Sequence, residues 1–418
     1  MKPSLSVVVA VYNGANFLPS CLSAILAAAD AETEIILVND GSTDNSAEIG
    51  KQFCTKVINL KQCTGAANAR NMGASEAQGE IILFVDADVV VQKDTIRHLR
   101  QIFSAKPEYS AVFGSYDTAP GEPDFFSQYR NLMHHFFHQI GCPEAETFWS
   151  GLGAVKREVF WHAGGFNAHK YKTPSVEDIE LGYRLREKGY RVLLVPELQA
   201  KHLKKWTFRS IIKTDFWYRA VPWVEIMFYY PNVRHDLNVK ASQKISALFA
   251  GVFLLSIGLV FFKWWSLFIG FFSLIMLFAI NKDFYTFFLR QRGVRFTFLV
   301  FPMNLLYFNY SSLAFVYSWF NFKIIQRASS FLKKNSSFFF FKKSITQYEP
   351  GVEPISFGNA LCNCTLNQEP DVKLTGELSD LRTIEPLMST VEFEPPLFHT
   401  LNTLEVSEDK ARVADLIR

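Results

Sequence analysis

The chain has 418 residues, of which 49% are hydrophobic, 15% aromatic and 20% charged, and its formal net charge is +3. Domains average roughly 150 residues, so there is room for two or three of them. The composition excludes a mainly disordered chain, a collagen-like chain and a disulfide-stapled mini-protein. The six cysteines show neither zinc nor disulfide spacing, so we expect reduced thiols and a cytosolic setting for most of the chain.

Short apolar runs alternate with helical stretches from the N-terminus to about residue 195. Because these runs are rich in Val and Ile without polar alternation, they predict strands that are covered on both faces. We therefore predict an α/β fold over residues 1–200, with an open, mostly parallel sheet and helices on both faces. The predicted strands are 6–12, 34–39, 57–60, 80–85, 111–116 and 191–196, and the predicted helices are 15–29, 42–53, 66–77 and 95–104.

The composition changes after this sheet. Residues 201–244 mix Lys and Arg with Trp, Phe and Tyr, which predicts amphipathic helices at a membrane surface. Since roughly 20 apolar residues cross a bilayer, three nearly uncharged stretches predict about three transmembrane helices within residues 245–322. These stretches are 245–262, 264–280 and 296–320.

The flanking charges leave one question of orientation open. Lys and Arg precede the first stretch and follow both the second and the third, so the positive-inside rule gives conflicting sides for the C-terminal tail. We expect an integral protein of the plasma membrane with its sheet domain in the cytoplasm. The tail, residues 323–418, is basic and then acidic, which predicts poor order.

The strongest chemical signal is Asp86-Ala87-Asp88, which directly follows the apolar run 81–85. Two carboxylates at the carboxyl end of a strand suit Mg²⁺ or Mn²⁺ bridged to diphosphate oxygens. Such a pair standing alone is more often a solvated turn. Its position after a fully apolar strand favours the metal site.

Two further acidic clusters have an alternative, structural interpretation. Asp40 and Asp44 follow the second predicted strand, where Asp40 either accepts hydrogen bonds from a nucleobase or, as in most such turns, serves the turn itself. Glu177 and Asp178 open a predicted helix, where they act either as partners of the helix dipole or as a base beside a ligand.

Small residues and histidines give weaker signals. Gly151, in the run 150–154, allows close approach of a ligand to the backbone, and His202 is either a metal ligand or a surface histidine. His134, His135 and His138 have helical spacing that imitates a metal pair. Because no strand end or acidic cluster lies beside them in sequence, we favour an ordinary helix face.

Taken together, these motifs resemble glycosyltransferase family 2, the nucleotide-sugar transferases of the GT-A fold, over about half of the chain. The resemblance rests on several short motifs that occur in the family's order. They are 7–13 with Tyr12-Asn13, 38–44 with Asp40, 69–73 with Arg70, 79–88 with Asp86 and Asp88, the Gly151 loop, 164–166 and Glu177-Asp178.

The resemblance implies a role for each matching residue. Asp178 is the expected catalytic base, Asp88 and His202 are expected metal ligands, and Asp86 is expected to reach the ribose or the metal. The implied cofactor is Mg²⁺ or Mn²⁺, and the implied donor is a UDP- or GDP-sugar. The remaining implied donor-binding residues are Ala10, Tyr12, Asp40, Arg70, Gly151 and Glu177.

The implied reaction is transfer of one sugar, with inversion, to a hydroxyl acceptor that the membrane segments suggest is lipid or lipid-linked; no nucleic-acid partner is expected. Ala10 stands where the family usually has Pro, and Glu180 replaces a frequent Asp. The Gln-x-x-Arg-Trp motif of processive synthases is absent. A polysaccharide synthase and a non-catalytic membrane scaffold with a nucleotide-binding GT-A domain remain the alternatives. A nucleotidyltransferase would carry a Gly-rich basic loop, and a transporter would carry intramembrane charges.

Overall fold

The computed structural model describes residues 3–230 and 240–345, with side chains up to residue 324. The prediction for the acidic part of the tail therefore lies outside the described residues. Within them, nine strands form one sheet in the order β3-β2-β1-β4-β8-β6-β9-β5, with β7 also paired to β9. The strands are β1 (Leu5–Val11), β2 (Thr33–Asn39), β3 (Lys56–Asn59), β4 (Ile81–Asp86), β5 (Val89–Val91), β6 (Tyr109–Tyr116), β7 (Glu144–Ala145), β8 (Leu152–Lys156) and β9 (Arg191–His202).

The sheet is buried on both faces, as its apolar strands predict. Val7 and Val9 of β1 belong to one buried cluster, whereas the alternate residue Val8 belongs to the other. Alternate side chains of a strand point to opposite faces, so helices must cover both. Strands β3, β2, β1 and β4 are mutually parallel and β6 is parallel to β9, which confirms the mostly parallel α/β fold.

Two features of the sheet differ from the predictions. The segment expected to be a small-residue loop around Gly151 leads directly into β8, which lies antiparallel between β4 and β6. Strand β9 continues to His202, twice as far as predicted, because its second half pairs with the short strand β5. Both differences arise from strand pairing between distant segments, which local periodicity does not reveal.

Helices flank the sheet on both faces, and further helices follow its last strand along the chain. Around the sheet lie α1 (Leu18–Ala28), α2 (Ser46–Phe53), α3 (Ala66–Glu76), α4 (Thr95–Ala105), α5 (Phe125–Gln139), α6 (Arg157–His162) and α7 (Glu177–Glu187). After β9 come α8 (Phe208–Lys213), a π-helical segment (Thr214–Ala220), α9 (Val221–Tyr229), α10 (Ala241–Leu259), α11 (Ser266–Ile280) and α12 (Lys282–Ile345). Helix α12 is interrupted at Gly293, whose φ of 79° is not helical.

Two of these helices are long and apolar enough to cross a bilayer. They are α10 and the part of α12 from Lys282 to Ile324, while α11 has 15 residues. Only 17% of the apolar window of α10 and 33% of that of α12 is buried, so neither is an ordinary core helix. Phe261, Phe262 and Phe298 are each more than three-quarters exposed, which is costly in water. The prediction of about three spans stays a prediction.

Candidate active site

The carboxyl ends of three parallel strands meet at one edge of the sheet. Ala10 of β1 pairs in register with Asp86 of β4, and Val11 pairs with Asn39 of β2. Tyr12 and Asp40 follow these strands directly, so four of the predicted donor-binding residues lie along the same edge. Open α/β sheets bind ligands at this edge.

Asp88 and His202 are brought together by strand pairing. Val89 of β5 lies opposite His202 of β9, and the backbone N–H of Leu203 donates to the carbonyl of Asp88 at 2.8 Å. His202 Nε2 consequently lies 3.6 Å from Asp88 Oδ2, and its ring stacks on Tyr116 with centroids 4.2 Å apart. Burial acts to raise the pKa of Asp88, but contact with His202 and the charge of Lys204 lower it, so this carboxylate is ionised.

Arg70 connects the strand end to the start of α7. Its guanidinium donates to Asp86 Oδ1 at 2.7 Å and to Glu177 Oε1 at 2.8 Å. Burial would lower the pKa of Arg70, but the two carboxylates more than offset this effect and raise it. Arg70 is therefore charged, and its two hydrogen bonds join the end of β4 to the start of α7.

Asp178 is a buried carboxyl group whose pKa is raised. Ser150 donates to Asp178 Oδ2 from its backbone N–H at 3.1 Å and from its hydroxyl at 3.2 Å, which orients the carboxylate. Burial and the neighbouring charge of Glu177 raise the pKa of Asp178 to about 6. A carboxylate with a pKa near the working pH is suited to accept a proton.

A cavity of about 900 Å³ unites most of the predicted site residues. Those that line it are Arg70, Asp86, Asp88, Glu177, Asp178 and His202. Ala10, Tyr12, Asp40 and Gly151 are not among the described residues that line it, although the first three lie at the same sheet edge and Gly151 is adjacent to Ser150, which does.

Asp40 is buried and engaged with the backbone. Its carboxylate accepts hydrogen bonds from the N–H groups of Thr64 and Gly65, both at 2.8 Å, and from the Thr64 hydroxyl at 2.7 Å. These contacts hold the loop before α3. Asp44 has a similar role in its own turn, because it accepts from the backbone N–H groups of Ala15 and Ser46.

The histidines of α5 serve packing. His135 Nδ1 contacts the carbonyl oxygen of Tyr116 at 2.6 Å, and His138 Nδ1 contacts that of Gly114 at 2.9 Å, so both tie α5 to β6. Burial lowers the pKa of His138 to about 4, which keeps it neutral. His135 agrees with the expected ordinary helix face, whereas His134 and His138 also line the cavity.

Several cavity residues could not be predicted from the sequence, because they come from segments that lie far from the acidic motifs along the chain. Arg130 of α5 pairs with Asp215 of the π-helical segment at 2.6 Å, and the Tyr310 hydroxyl of α12 donates to Asp215 at 2.6 Å. Arg219 lies in the same π-helical segment and lines the cavity. The mixed basic and aromatic composition of 201–244 was the available signal, but it indicated a membrane surface rather than a site.

The residues present can accommodate a divalent cation only in combination with other ligands. Among the described residues, no group of three or more His, Cys, Asp or Glu side chains is arranged to hold a metal ion. Asp88 and His202 supply two close donors, whereas Asp86 is engaged by Arg70. Mg²⁺ and similar cations commonly use one or two protein ligands and take the remainder from substrate phosphates and water, so this pair fits such an ion.

Comparison with known proteins assigns the sheet domain to a family. Residues 6–164 match the model of glycosyl transferase family 2. Over 121 residues the chain is 41% identical to glycosyltransferase GlyG of Streptococcus pneumoniae serotype 4, a match that covers 28% of this chain and 40% of that protein. Over 115 residues it is 36% identical to poly-beta-1,6-N-acetyl-D-glucosamine synthase of Staphylococcus epidermidis, covering 27% of this chain and 28% of that one.

The chain thus spans less than half the length of these two relatives. Among solved structures, mannosyltransferase PcManGT from Pyrobaculum calidifontis, in complex with GDP-Man and Mn²⁺, is 18% identical and aligns over 76% of this chain and 88% of that chain with a TM-score of 0.49. The family match and the curated relatives agree on the class of this domain. Residues 6–164 of the chain form a glycosyl transferase family 2 domain.

Proposed function

We propose that this chain transfers a single sugar from a nucleotide diphosphate sugar to an acceptor hydroxyl, with inversion at the anomeric carbon. One observation carries the proposal: the Asp88–His202 pair and the raised-pKa carboxyl of Asp178 line the same cavity beside the carboxyl edge of the sheet. The glycosyltransferase family 2 match supports a nucleotide-sugar donor.

Asp178 is the proposed base. The acceptor oxygen attacks the anomeric carbon from the face opposite the diphosphate, a new C–O bond forms, and the bond to the diphosphate oxygen breaks with its electron pair. The acceptor proton passes to Asp178 Oδ. Ser150 holds this carboxylate through two hydrogen bonds, so the base is oriented before the acceptor arrives. The product is a glycoside of opposite anomeric configuration and a nucleoside diphosphate.

The donor is held by charges and by the sheet edge. When bound, a Mg²⁺ or Mn²⁺ ion at Asp88 and His202, with Asp86 as a further candidate ligand, would neutralise the charge of the diphosphate. Arg70 and Glu177 fix Asp86 and the start of α7 in place. Ala10 and Tyr12 would border the nucleoside, with Asp40 shaping its pocket, and the Gly151 segment would lie over the donor sugar.

The acceptor is proposed to come from the membrane. Helices α10 and α12 are long and apolar enough to span a bilayer, and their large apolar side chains are exposed. The cavity that contains Asp178 also reaches these helices. We therefore infer an integral protein of the plasma membrane, with the sheet domain on the cytoplasmic side and a lipid or lipid-linked acceptor.

Calorimetry on the full chain tests donor binding. UDP and GDP should be titrated with and without Mn²⁺, and one of the two should bind at least about tenfold more tightly when the ion is present. His202→Ala should abolish this gain, because it removes one of the two close donors, whereas His169→Ala, at an exposed position, should keep it. Failure of both nucleotides to bind would overturn the proposal of a nucleotide-sugar donor.

Product length tests single transfer against polymerisation. One relative is a polysaccharide synthase, but this chain lacks Gln-x-x-Arg-Trp and has Lys204-Lys205-Trp206 in the segment after the sheet. Membranes containing the protein should be incubated with labelled UDP- and GDP-sugars, and the labelled lipid analysed by mass spectrometry. We expect a mass increase of one sugar; a ladder of repeated additions would overturn single transfer.

A further inference from the structure

The cavity at the active site does not end at the sheet domain. From Asp178 it continues to a crevice between α10 and α12, the two helices that are long enough to cross a bilayer. Apart from Ser311 and Ser312, the side chains along the crevice are apolar or aromatic, so it suits hydrocarbon rather than a sugar. Its apolar lining includes Leu248, Val252 and Leu255 of α10 and Phe308, Phe315 and Val316 of α12.

The crevice is open at the middle of α10. A Cβ atom added to Gly251, which lines the cavity, would meet no atom within 4 Å. Leu248 and Leu255, one turn before and after it, are 65% and 64% exposed. The adjacent residue Ala250 is instead buried in a cluster with Leu277 and Phe308. Helix α10 therefore packs against its neighbours through one face and leaves the face that carries Gly251 free to contact the hydrocarbon chain of a lipid.

The polar end of the cavity carries two cations, Arg219 and Lys244, that no described side chain neutralises. Arg130 is paired with Asp215, but Arg219, in the same cavity, has no carboxylate within ion-pair distance among the described side chains. Burial and the charge of Arg130 lower the pKa of Arg219, so an anion beside it would relieve an unfavourable environment. Lys244, which is exposed at the start of α10, likewise has no ion pair in the part of the chain that the structure describes.

A buried acceptor atom lies next to Lys244. Gln243 Oε1 has no hydrogen-bond partner among the described residues, and Gln243 also lines the cavity. An unsatisfied buried acceptor costs free energy unless a donor completes it, and a headgroup hydroxyl or a water can supply that donor. The cavity thus contains three kinds of surface: the base Asp178, two cations with a polar side chain, and an apolar crevice.

These three surfaces match the three parts of one class of molecule. We propose that the acceptor is an anionic lipid whose phosphate lies at Arg219 and Lys244, whose hydrocarbon chain lies between α10 and α12, and whose headgroup hydroxyl reaches Asp178. The inference deepens the proposed function, on which it rests. It commits Arg219 to the lipid phosphate rather than to the donor diphosphate.

Three probes separate the parts of such a ligand. Lysophosphatidylglycerol has chain, phosphate and hydroxyls; a monoacylglycerol of the same chain lacks the phosphate; glycerol 3-phosphate lacks the chain. Binding to the full chain in phosphatidylcholine nanodiscs should be measured by calorimetry. Because charge-assisted hydrogen bonds contribute roughly 1.5–3 kcal/mol, lysophosphatidylglycerol should bind at least about tenfold more tightly than either of the others.

Matched variants test the two ends of the site. Gly251→Leu should weaken lysophosphatidylglycerol binding at least about tenfold by filling the crevice, whereas Gly258→Leu, on the same helix and equally free of neighbours but outside the cavity lining, should bind as wild type does. Arg219→Gln should also weaken lipid binding, and Arg219→Lys should largely restore it.

Nucleotide binding distinguishes the failure of this inference from the failure of the proposed function. All four variants should bind UDP or GDP as wild type does. If Gly251→Leu binds the lipid normally, or if Arg219→Gln weakens only the nucleotide, the lipid site is refuted while the glycosyltransferase proposal stands. If wild type binds no nucleotide, the proposed function fails whatever the lipid result.

Discussion

Replacing Asp178 with Asn gives the sharpest test of the proposed chemistry. The amide keeps the size of the side chain but cannot accept the acceptor proton, and a positioned base contributes roughly 10²–10⁴ to a rate. We expect kcat for sugar transfer to fall by about that factor, with binding of the nucleoside diphosphate nearly unchanged. Glu187→Gln, at the exposed end of the same helix, should retain wild-type turnover.

The pH profile adds a second, independent readout. Since burial and Glu177 raise the pKa of Asp178 to about 6, wild-type kcat/KM should fall about tenfold per pH unit below 6 and level off above about 7. The Asn variant should lose this limb of the profile. A wild-type profile that is flat from pH 5 to 8, or an Asn variant with full turnover, would refute the assignment of the base.

The thermal stability of the Asn variant shows whether it loses activity merely because it has unfolded. A rise in pKa from 3.8 to about 6 means that ionised Asp178 opposes folding above pH 6 by about 3 kcal/mol, an effect that is absent below pH 3.8. At pH 8, Asn removes this penalty, but its neutral amide oxygen accepts weaker hydrogen bonds from Ser150 than the carboxylate does, so the two effects oppose each other. We expect a melting temperature within a few degrees of wild type, and a large drop would contradict the raised pKa.

Two further predictions concern the framework of the site. Arg70→Leu leaves Glu177 buried without its partner and should lower the free energy of unfolding by about 3–5 kcal/mol. Lys56→Leu, which breaks an exposed ion pair, should lower it by less than about 1 kcal/mol. Thermal unfolding in detergent measures both, and equal losses would contradict this reasoning. Gly65→Ala places a Cβ 2.3 Å from a backbone oxygen and should weaken nucleotide binding measured by calorimetry, while Gly189→Ala, also at positive φ but without neighbours, should not.

Much of the sheet could be predicted from local pattern. The apolar runs placed β1, β2, β3, β4 and β6 close to their observed bounds, because strands buried on both faces must be continuously apolar. The acids at the strand ends were also recognisable, since parallel strands direct their carboxyl ends to one edge. Strand β8 was not predicted, because an antiparallel insertion between β4 and β6 depends on partners about 40 and 70 residues away.

The amino-acid order alone determined an α/β domain with acids at the strand ends, followed by apolar helices, because periodicity and side-chain chemistry are local properties. Only the tertiary structure decided that β5 brings Asp88 to His202, that Arg70 joins β4 to α7, and that the cavity at Asp178 opens between α10 and α12. Those relations depend on which distant surfaces pack together. Packing is a property of the whole chain, and no short window of sequence contains it.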